Sequence, residues 1–375
     1  MFIPSVFRKS YYPLNKITIS KSRLLHNYSY LSGISKNLKI APVLKSNAYG
    51  HGINNVAKIL DRVGAPFFCV DSLYEAYELL KLKIKTPILI MGFVHPENLK
   101  VKKLPFSFAV YDKKTAREIN KYQPNSNIHI FVDTGMHREG IPIDEFSDFV
   151  KYIKNLGKLK IDGLMSHLGE SEDPKNKNTL LQLKNFKFAR KILKAEGIDP
   201  RWIHIGNSSA ILNYNDYQDV IGNVSRSGIA IYGIDPAGVD KQIEPVLEFK
   251  TYLNQVKPMQ KNNSLGYSFT FKAAQNMVIG ILPLGYHDGV DRRLSNKGVV
   301  KIEGRTCSII GRVSMNLTTI DITNIQKPET GMEAVVYSRN KEDVNSIYNL
   351  AKKINTIPYD LLVNLTTSTR REVVT

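Results

Sequence analysis

The sequence predicts a two-domain α/β protein: an N-terminal (β/α)8 TIM-type barrel followed by a mainly-β C-terminal domain. Three observations predict it. Short apolar runs alternate with helix-periodic segments, eight such runs can be counted in about 200 residues, and from about residue 245 helix periodicity gives way to short strands and turns.

The elements follow in order. A helix is expected at about 20–33 (SKSRLLHNYSYLSG). The strands are LKIAPVL (38–44), APFFCVD (65–71), PILIMG (87–92), PFSFAVY (105–111), NIHIFVD (127–133), KIDGLMSH (160–167), RWIHIG (201–206) and NVSRSG (223–228). Between them lie stretches such as SLYEAYELLKL and LLQLKNFKFARKILKAEG, whose apolar residues recur at helical spacing. In the second domain EFKTYLNQVKPM, NMVIGILPLG, GVVKIEG, RTCSIIGRVSM and MEAVVYS read as strands, and only 341–353 reads as a helix. The Pro/Gly-containing segment IYGIDPAGVDKQ marks the boundary, giving domains 1–243 and 244–375, with residues 1–15 open to packing on the second.

Composition excludes several function classes. Of 375 residues, 42% are hydrophobic and 23% charged, an ordinary soluble balance. Lys+Arg outnumber Asp+Glu by 52 to 34, a net +18, yet the lysines are scattered and no aromatic-interleaved basic run appears; nucleic acid is not the expected partner. Cys69 and Cys307 lie in apolar runs, as buried thiols of a reducing compartment do. The N-terminal apolar run is too short for a signal peptide and no stretch approaches ~20 apolar residues, so a cytoplasmic protein without membrane contact is expected. No metal is expected.

Catalytic groups of parallel barrels sit where strands end. Polar residues gather there: Lys45 and Tyr49 after the first strand, Arg138 after the fifth, His167 after the sixth, Asn207 and Ser208 after the seventh, Arg226 with Gly228 at the eighth. Barrel phosphate sites lie after the last two strands, and NSSA (207–210) with RSGIA (226–230, including Ile229) fits such a cradle, Tyr49 adding a donor. A lysine after a buried strand is costly unless paired or neutralised, for instance as a Schiff base. By itself Lys45 is also compatible with a solvated strand end.

The surrounding motif, VLKSNAYGHG (43–52), resembles the pyridoxal-phosphate lysine motif V-x-K-A-N-A-Y-G-H-G of the alanine racemase family. Others follow in order along essentially the whole chain. DTGMHREG resembles D-T-G-M-x-R-x-G, MSHLGESED loosely resembles T-H-F-A-x-A-D-E, and HIGNSSA resembles H-x-x-N-S-A-A. RSGIAIYG resembles R-x-G-I-x-x-Y-G, LGYSFTF resembles V-G-Y-G-x-T-W, LGYHDG resembles I-G-Y-A-D-G, GRVSMN resembles G-R-V-S-M-D, and TIPYD resembles T-I-N-Y-E.

The resemblance implies a homodimer with shared active sites that interconverts L- and D-alanine by two-base proton transfer through a pyridoxal 5'-phosphate aldimine, supplying D-alanine for peptidoglycan. It assigns Lys45 as cofactor lysine and one base, with Tyr267 as the other. Tyr49, His167, Asn207, Ser208, Arg226, Gly228, Ile229 and Tyr359 become cofactor contacts. Arg138, Met315 and Tyr286 become substrate contacts, and Tyr286, Met315 and Tyr359 crowd the methyl group. A phenol near pKa ~10 must drop ~3 units to act as a base at neutral pH, about 4 kcal/mol; His167 and Arg226 are the cations expected to supply that.

The chain departs from the family at several positions. Phe131 stands where many members have a lysine bracing the carboxylate-binding arginine, Ser268 where a glycine follows the catalytic tyrosine, and Asn316 where the motif has aspartate. The segment around Glu170, Glu172 and Asp173 is rewritten, and the C-terminus keeps part of an arginine-rich ending. The rival readings are a racemase for serine or of broad range and a barrel-type amino-acid decarboxylase, whose cysteine motif and glycine-rich phosphate loop are not found. A pyridoxal-phosphate carrier would have no second domain.

Overall fold

The structure, a computed structural model, describes residues 12–236, 240 and 242–375. It comprises a barrel unit, Arg23–Tyr49 with Ile53–Ile243, and a β unit formed by residues 12–22, Gly50–Gly52 and Glu244–Thr375. Residues 16–22 and Gly50–Gly52 thus go with the β unit, because β1 (Lys16–Ser20) is a strand of its sheet. Of the expectation for residues 1–15, residues 1–11 lie outside the described residues. Residues 12 and 15 bond within the β unit, Tyr12 to Tyr252 and Asn15 to Pro283.

Eight parallel strands build the barrel: β2 (Lys39–Pro42), β3 (Phe68–Val70), β4 (Ile88–Ile90), β5 (Ser107–Val110), β6 (Asn127–Asp133), and, past the two-residue β7 (Ile141–Pro142) that pairs with β6, β8 (Lys160–Met165), β9 (Trp202–His204) and β10 (Val224–Ser227). The ladder runs unbroken from β3 to β9, and β10 pairs with β2. A parallel bridge between Val43 and Cys69 and a bond from Arg226 N to Gly206 O (3.0 Å) close the ring. Alternate residues point inward, and Ala41, Cys69, Leu89, Ala109, Phe131, Met165, Trp202 and Val224 fill the interior, one from each strand. Most strands are shorter than the sequence suggests, by up to three residues at one end or the other, while β6 keeps the full 127–133.

Helices cover the outside. Lys113–Tyr122 shows why they form: Asp112 caps it through Thr115 N (2.7 Å), and Thr115, Ala116 and Ile119 make one buried face. The capping box Ser72–Glu75 starts Leu73–Lys81 in the same way.

In the β unit, β1 lies between β11 (Leu247–Tyr252) and the C-terminal strand. After β12 (Gln255–Met259) a small hairpin, β13 (Ser264–Leu265) and β14 (Phe271–Lys272), precedes β15 (Met277–Leu282), β16 (Val299–Ile302), β17 (Arg305–Ser308), β18 (Thr318–Asp321), β19 (Glu333–Tyr337) and β20 (Arg370–Val374). The larger sheet has the order β17-β16-β19-β11-β1-β20, and β12, β15 and β18 make a second. Two expectations about helices are corrected. The helix expected at 341–353 begins only at Ile347, capped by Ser346, because Asp343 is held in a turn by Ser338 (2.6 Å) and Lys301 (2.6 Å). A second helix, Pro358–Val363, was not foreseen; Pro358 at its first turn needs no N–H acceptor, and Leu361 and Leu362 are buried.

Candidate active site

Lys45 leaves β2 into an unusual turn. Ser46, Asn47, Ala48 and Tyr49 all have φ between 51° and 55°, four consecutive left-handed residues without a glycine among them. Such a conformation costs about 1 kcal/mol or more per residue and persists only if neighbours hold it. Glu75 does so, accepting Ser46 N at 2.6 Å and Asp71 N at 2.9 Å, while Asn47 Oδ1 accepts Ile53 N at 2.9 Å and opens the next helix. The Lys45 ammonium sits 3.4 Å from Asp71 Oδ1, both groups partly open to solvent.

Across the barrel Arg226 is buried, only 4% exposed, and all four of its terminal N–H groups are used. They go to His204 Nδ1 (2.6 Å), His204 O (3.0 Å), Ser166 O (2.5 Å) and His167 Nδ1 (3.2 Å). Because a guanidinium only donates, both imidazole Nδ1 atoms accept and each ring carries its proton on Nε2. His204 Nε2–H therefore donates to His129 Nδ1 at 2.8 Å. Burial and the Arg226 charge push His129 down to about 3 and His204 well below its usual value. His167 also falls to about 3, through burial first, then Arg226, Arg138 and Lys45. The expectation that His167 contributes a cation is corrected: its depressed value leaves it neutral at neutral pH, and of the two groups expected to be cations Arg226 is the one that carries a charge. Burial lowers Arg226 only to about 10, so it remains protonated at neutral pH. No carboxylate pairs with it among the described residues.

The segments after β9 and β10 meet at Ser208. Its hydroxyl accepts Gly228 N (3.1 Å) and Ala230 N (3.2 Å), and a Cβ on Gly228 would lie 2.5 Å from the Tyr49 hydroxyl oxygen. Only glycine lets the phenol, the serine and that backbone converge. Asn207 caps the turn through Ala210 N, and Ile229 is buried beside it. Arg138 lies on a loop ordered by the Asp133 carboxylate, which accepts Gly135 N, Met136 N and His137 N. Phe131 is buried edge-on to Tyr111, so the position of the expected lysine is part of the barrel core. The ion partner of Arg138 is Glu139, at 3.7 Å.

The remaining candidates belong to the β unit. Tyr267 opens a short 3-10 turn and is 69% exposed; Ser268, in the glycine position, has φ 58°. Tyr286 N bonds Ser314 O and His287 N bonds Met315 O, both at 3.0 Å, which sets Tyr286 beside Met315 on the surface. Asn296 links this region to the Tyr267 turn, accepting Gly311 N and donating to Thr270. Asn316 is exposed and Tyr359 half-buried. Arg371, from the arginine-rich ending, donates to the carbonyls of Gly50, Leu365, Thr366 and Thr369.

Sequence reasoning passed over Asp71, Glu75, His129 and His204. The pattern S-x-x-E at 72–75 was readable as a capping box, and His204 stood inside a quoted motif; nothing in the sequence joins His129 to either.

The family model for the alanine racemase N-terminal domain matches residues 19–236, and that for the C-terminal domain matches 246–373. Alanine racemase 1 of Caldanaerobacter subterraneus subsp. tengcongensis is 33% identical over 357 residues, covering 92% of this chain and 91% of that protein. The alanine racemase of Bacillus anthracis with bound L-Ala-P superposes with a TM-score of 0.89 at 26% identity, covering 97% and 96% of the two chains. That of Bartonella henselae with covalently bound pyridoxal phosphate gives 0.85 at 25%, covering 96% and 99%. With both domains matched in order by their family models, and with the barrel and the mainly-β domain that this fold requires, the chain belongs to the alanine racemase family.

Proposed function

We propose that this protein interconverts L- and D-alanine, with pyridoxal phosphate carried on Lys45. The observation that carries the reading is Arg226: a buried, permanently charged guanidinium whose partners are all neutral and whose Nε–H takes no acceptor among the described residues. Such a group is satisfied by an electron-rich acceptor such as a pyridine nitrogen. Tyr49, Ser208 and Gly228 likewise fit a phosphate, and Lys45 fits an aldehyde.

When bound, pyridoxal phosphate supplies the electron sink that stabilises the carbanion left by loss of the Cα proton. Arg226, which keeps its protons at neutral pH, would donate a hydrogen bond to the ring nitrogen without protonating it and would so moderate the sink. Arg138 pairs with the substrate carboxylate and orients the C–H bond for cleavage. Lys45 Nζ takes or returns the proton on one face, and the Tyr267 hydroxyl serves the other. His167, neutral, presents Nε2–H as a fixed donor.

Two further parts belong to the same proposal. A second copy of the chain supplies Tyr267, Tyr286 and Met315 to the mouth of each barrel, in an isologous dimer. The exposure of Tyr267, Tyr286 and Met315 supports this. The enzyme works in the cytoplasm and its D-alanine serves the cell wall; no helix among the described residues is long and apolar enough to cross a membrane.

Borohydride reduction of the purified protein followed by peptide mapping should tag Lys45, and chiral analysis across a panel of L-amino acids should show alanine racemised fastest. A tag on another lysine, or no change of chirality in any substrate, would overturn the reading.

A further inference from the structure

Two side-chain hydrogen bonds tie the loop after β8 to the turn after β9. Ser171 Oγ donates to Asn207 Oδ1 at 2.7 Å, and Ser209 Oγ donates to Glu172 Oε1 at 2.6 Å. Both serines are buried, so neither hydroxyl exchanges its partner for water. Ser171 is anchored from behind, its carbonyl accepting Tyr217 Oη at 3.1 Å and Asn213 Nδ2 at 3.5 Å. Ser208, the serine that receives Gly228 N and Ala230 N, therefore lies between two residues clamped by the same loop.

The clamp is made where this chain departs from the motifs it resembles. Against A-x-A-D-E and N-S-A-A, serine replaces alanine at 171 and 209, and glutamate replaces aspartate at 172. An alanine methyl can donate neither bond, so both donors of the clamp stand where this chain departs from the motifs.

Resting on the reading of Tyr49, Ser208 and Gly228 as a phosphate cradle, we infer that Ser171, Glu172 and Ser209 are positioning residues for the cofactor's phosphate. They hold the 207–210 turn in the geometry in which the Ser208 hydroxyl faces Gly228. The ordering is done before the anion arrives, so binding does not have to supply it. The charge-assisted bond to Glu172 is the stronger of the two links. The clamp acts on the phosphate and leaves the aldehyde and ring contacts unchanged.

The test is to titrate the full chain, freed of cofactor, with pyridoxal phosphate and with pyridoxal, which has the same ring and aldehyde but no phosphate. Ser209→Ala and Glu172→Ala should each weaken pyridoxal phosphate roughly three- to tenfold, the net worth of about one ordinary hydrogen bond passed on indirectly through the turn. The double variant should bind no worse than the weaker single, because the two changes remove one bond. Ser209→Thr, which keeps the hydroxyl, should restore binding, and pyridoxal should bind all of them like wild type. Equal loss for both compounds would mean a merely structural role and overturn the inference, as would additive effects in the double variant. Unchanged binding by Ser209→Ala and Glu172→Ala while Ser208→Ala weakens pyridoxal phosphate overturns the clamp and keeps the cradle. If Ser208→Ala also binds normally, the cradle itself is wrong and the inference falls with it.

Discussion

The barrel unit and the β unit present their candidate residues in opposite ways. In the barrel, Arg226, His167, His204, Ser208 and Gly228 are joined in a buried hydrogen-bond network, and burial sets the protonation state of its histidines. In the β unit, Tyr267, Tyr286 and Met315 are 69%, 43% and 56% exposed. A preorganised electrostatic site can be built by one chain, whereas a phenol in water has no desolvated neighbour to tune it. On the proposed reading, the barrel holds the cofactor chemistry and the β unit offers groups that become chemistry only when covered.

The largest expected effect breaks or confirms that division. Tyr267→Phe, which removes only a hydroxyl, should lower alanine racemisation by about 10²–10⁴-fold, the usual share of a general base, while leaving the cofactor bound to Lys45. Lys45→Ala and Tyr267→Ala, each nearly inactive alone, should recover about a quarter of wild-type activity when unfolded and refolded together with cofactor, since half the dimers are mixed and one site in each collects both intact residues. Activity that stays absent in a mixture with verified heterodimers would place both bases in one chain and dissolve the contrast.

A smaller effect sharpens it. If Tyr286 and Met315 shape the substrate's side-chain space, a larger amino acid meets an overlap of about 1–3 kcal/mol per added group. Tyr286→Ala should then raise kcat/KM for 2-aminobutyrate relative to alanine by about tenfold. An unchanged ratio in that variant would remove Tyr286 from the substrate's surroundings.

What the sequence made legible follows the same division of local from distant. Lys45, Arg226 and the strand ends could be read because each sits in a contiguous run whose apolar pattern and turn residues announce it. The His129–His204 bond spans 75 residues and the Lys45–Asp71 pair spans 26, so only closure of the barrel brings them together. The left-handed run at Ser46–Tyr49 was invisible because, Asn47 apart, its residues carry no preference for that backbone. The neutral state of His167 depends on burial and three neighbouring cations, none of which is written beside it in the chain.

A last predicted effect separates the two units by pH. His129, His167 and His204 are held neutral in the barrel, with folded pKa values depressed to about 3 for the first two and well below normal for the third. Unfolded, each titrates near ~6.5. Below that pH the unfolded chain binds protons that the folded barrel refuses, so stability falls as pH falls, by about 1.4 kcal/mol per pH unit for each histidine. In the β unit, Arg293 and Lys301 hold Asp291, Asp360 and Asp343 below their ordinary values, and Lys16 does the same for Glu372. Their contribution is present above the unfolded carboxylate range and is lost only as pH drops through about 4 and lower. Acid should therefore weaken the barrel first. The chain's one tryptophan, Trp202, packs inside the barrel and reports on it. Urea midpoints from Trp202 fluorescence should decline steadily from pH 6.5 to 4.5, and His129→Gln should lessen the slope by about 1.4 kcal/mol per pH unit even if the variant starts less stable. A flat profile over that interval, or an unaltered slope in His129→Gln, would mean that the buried histidines take up protons in the folded barrel, and the neutral ring of acceptors around Arg226 would no longer stand.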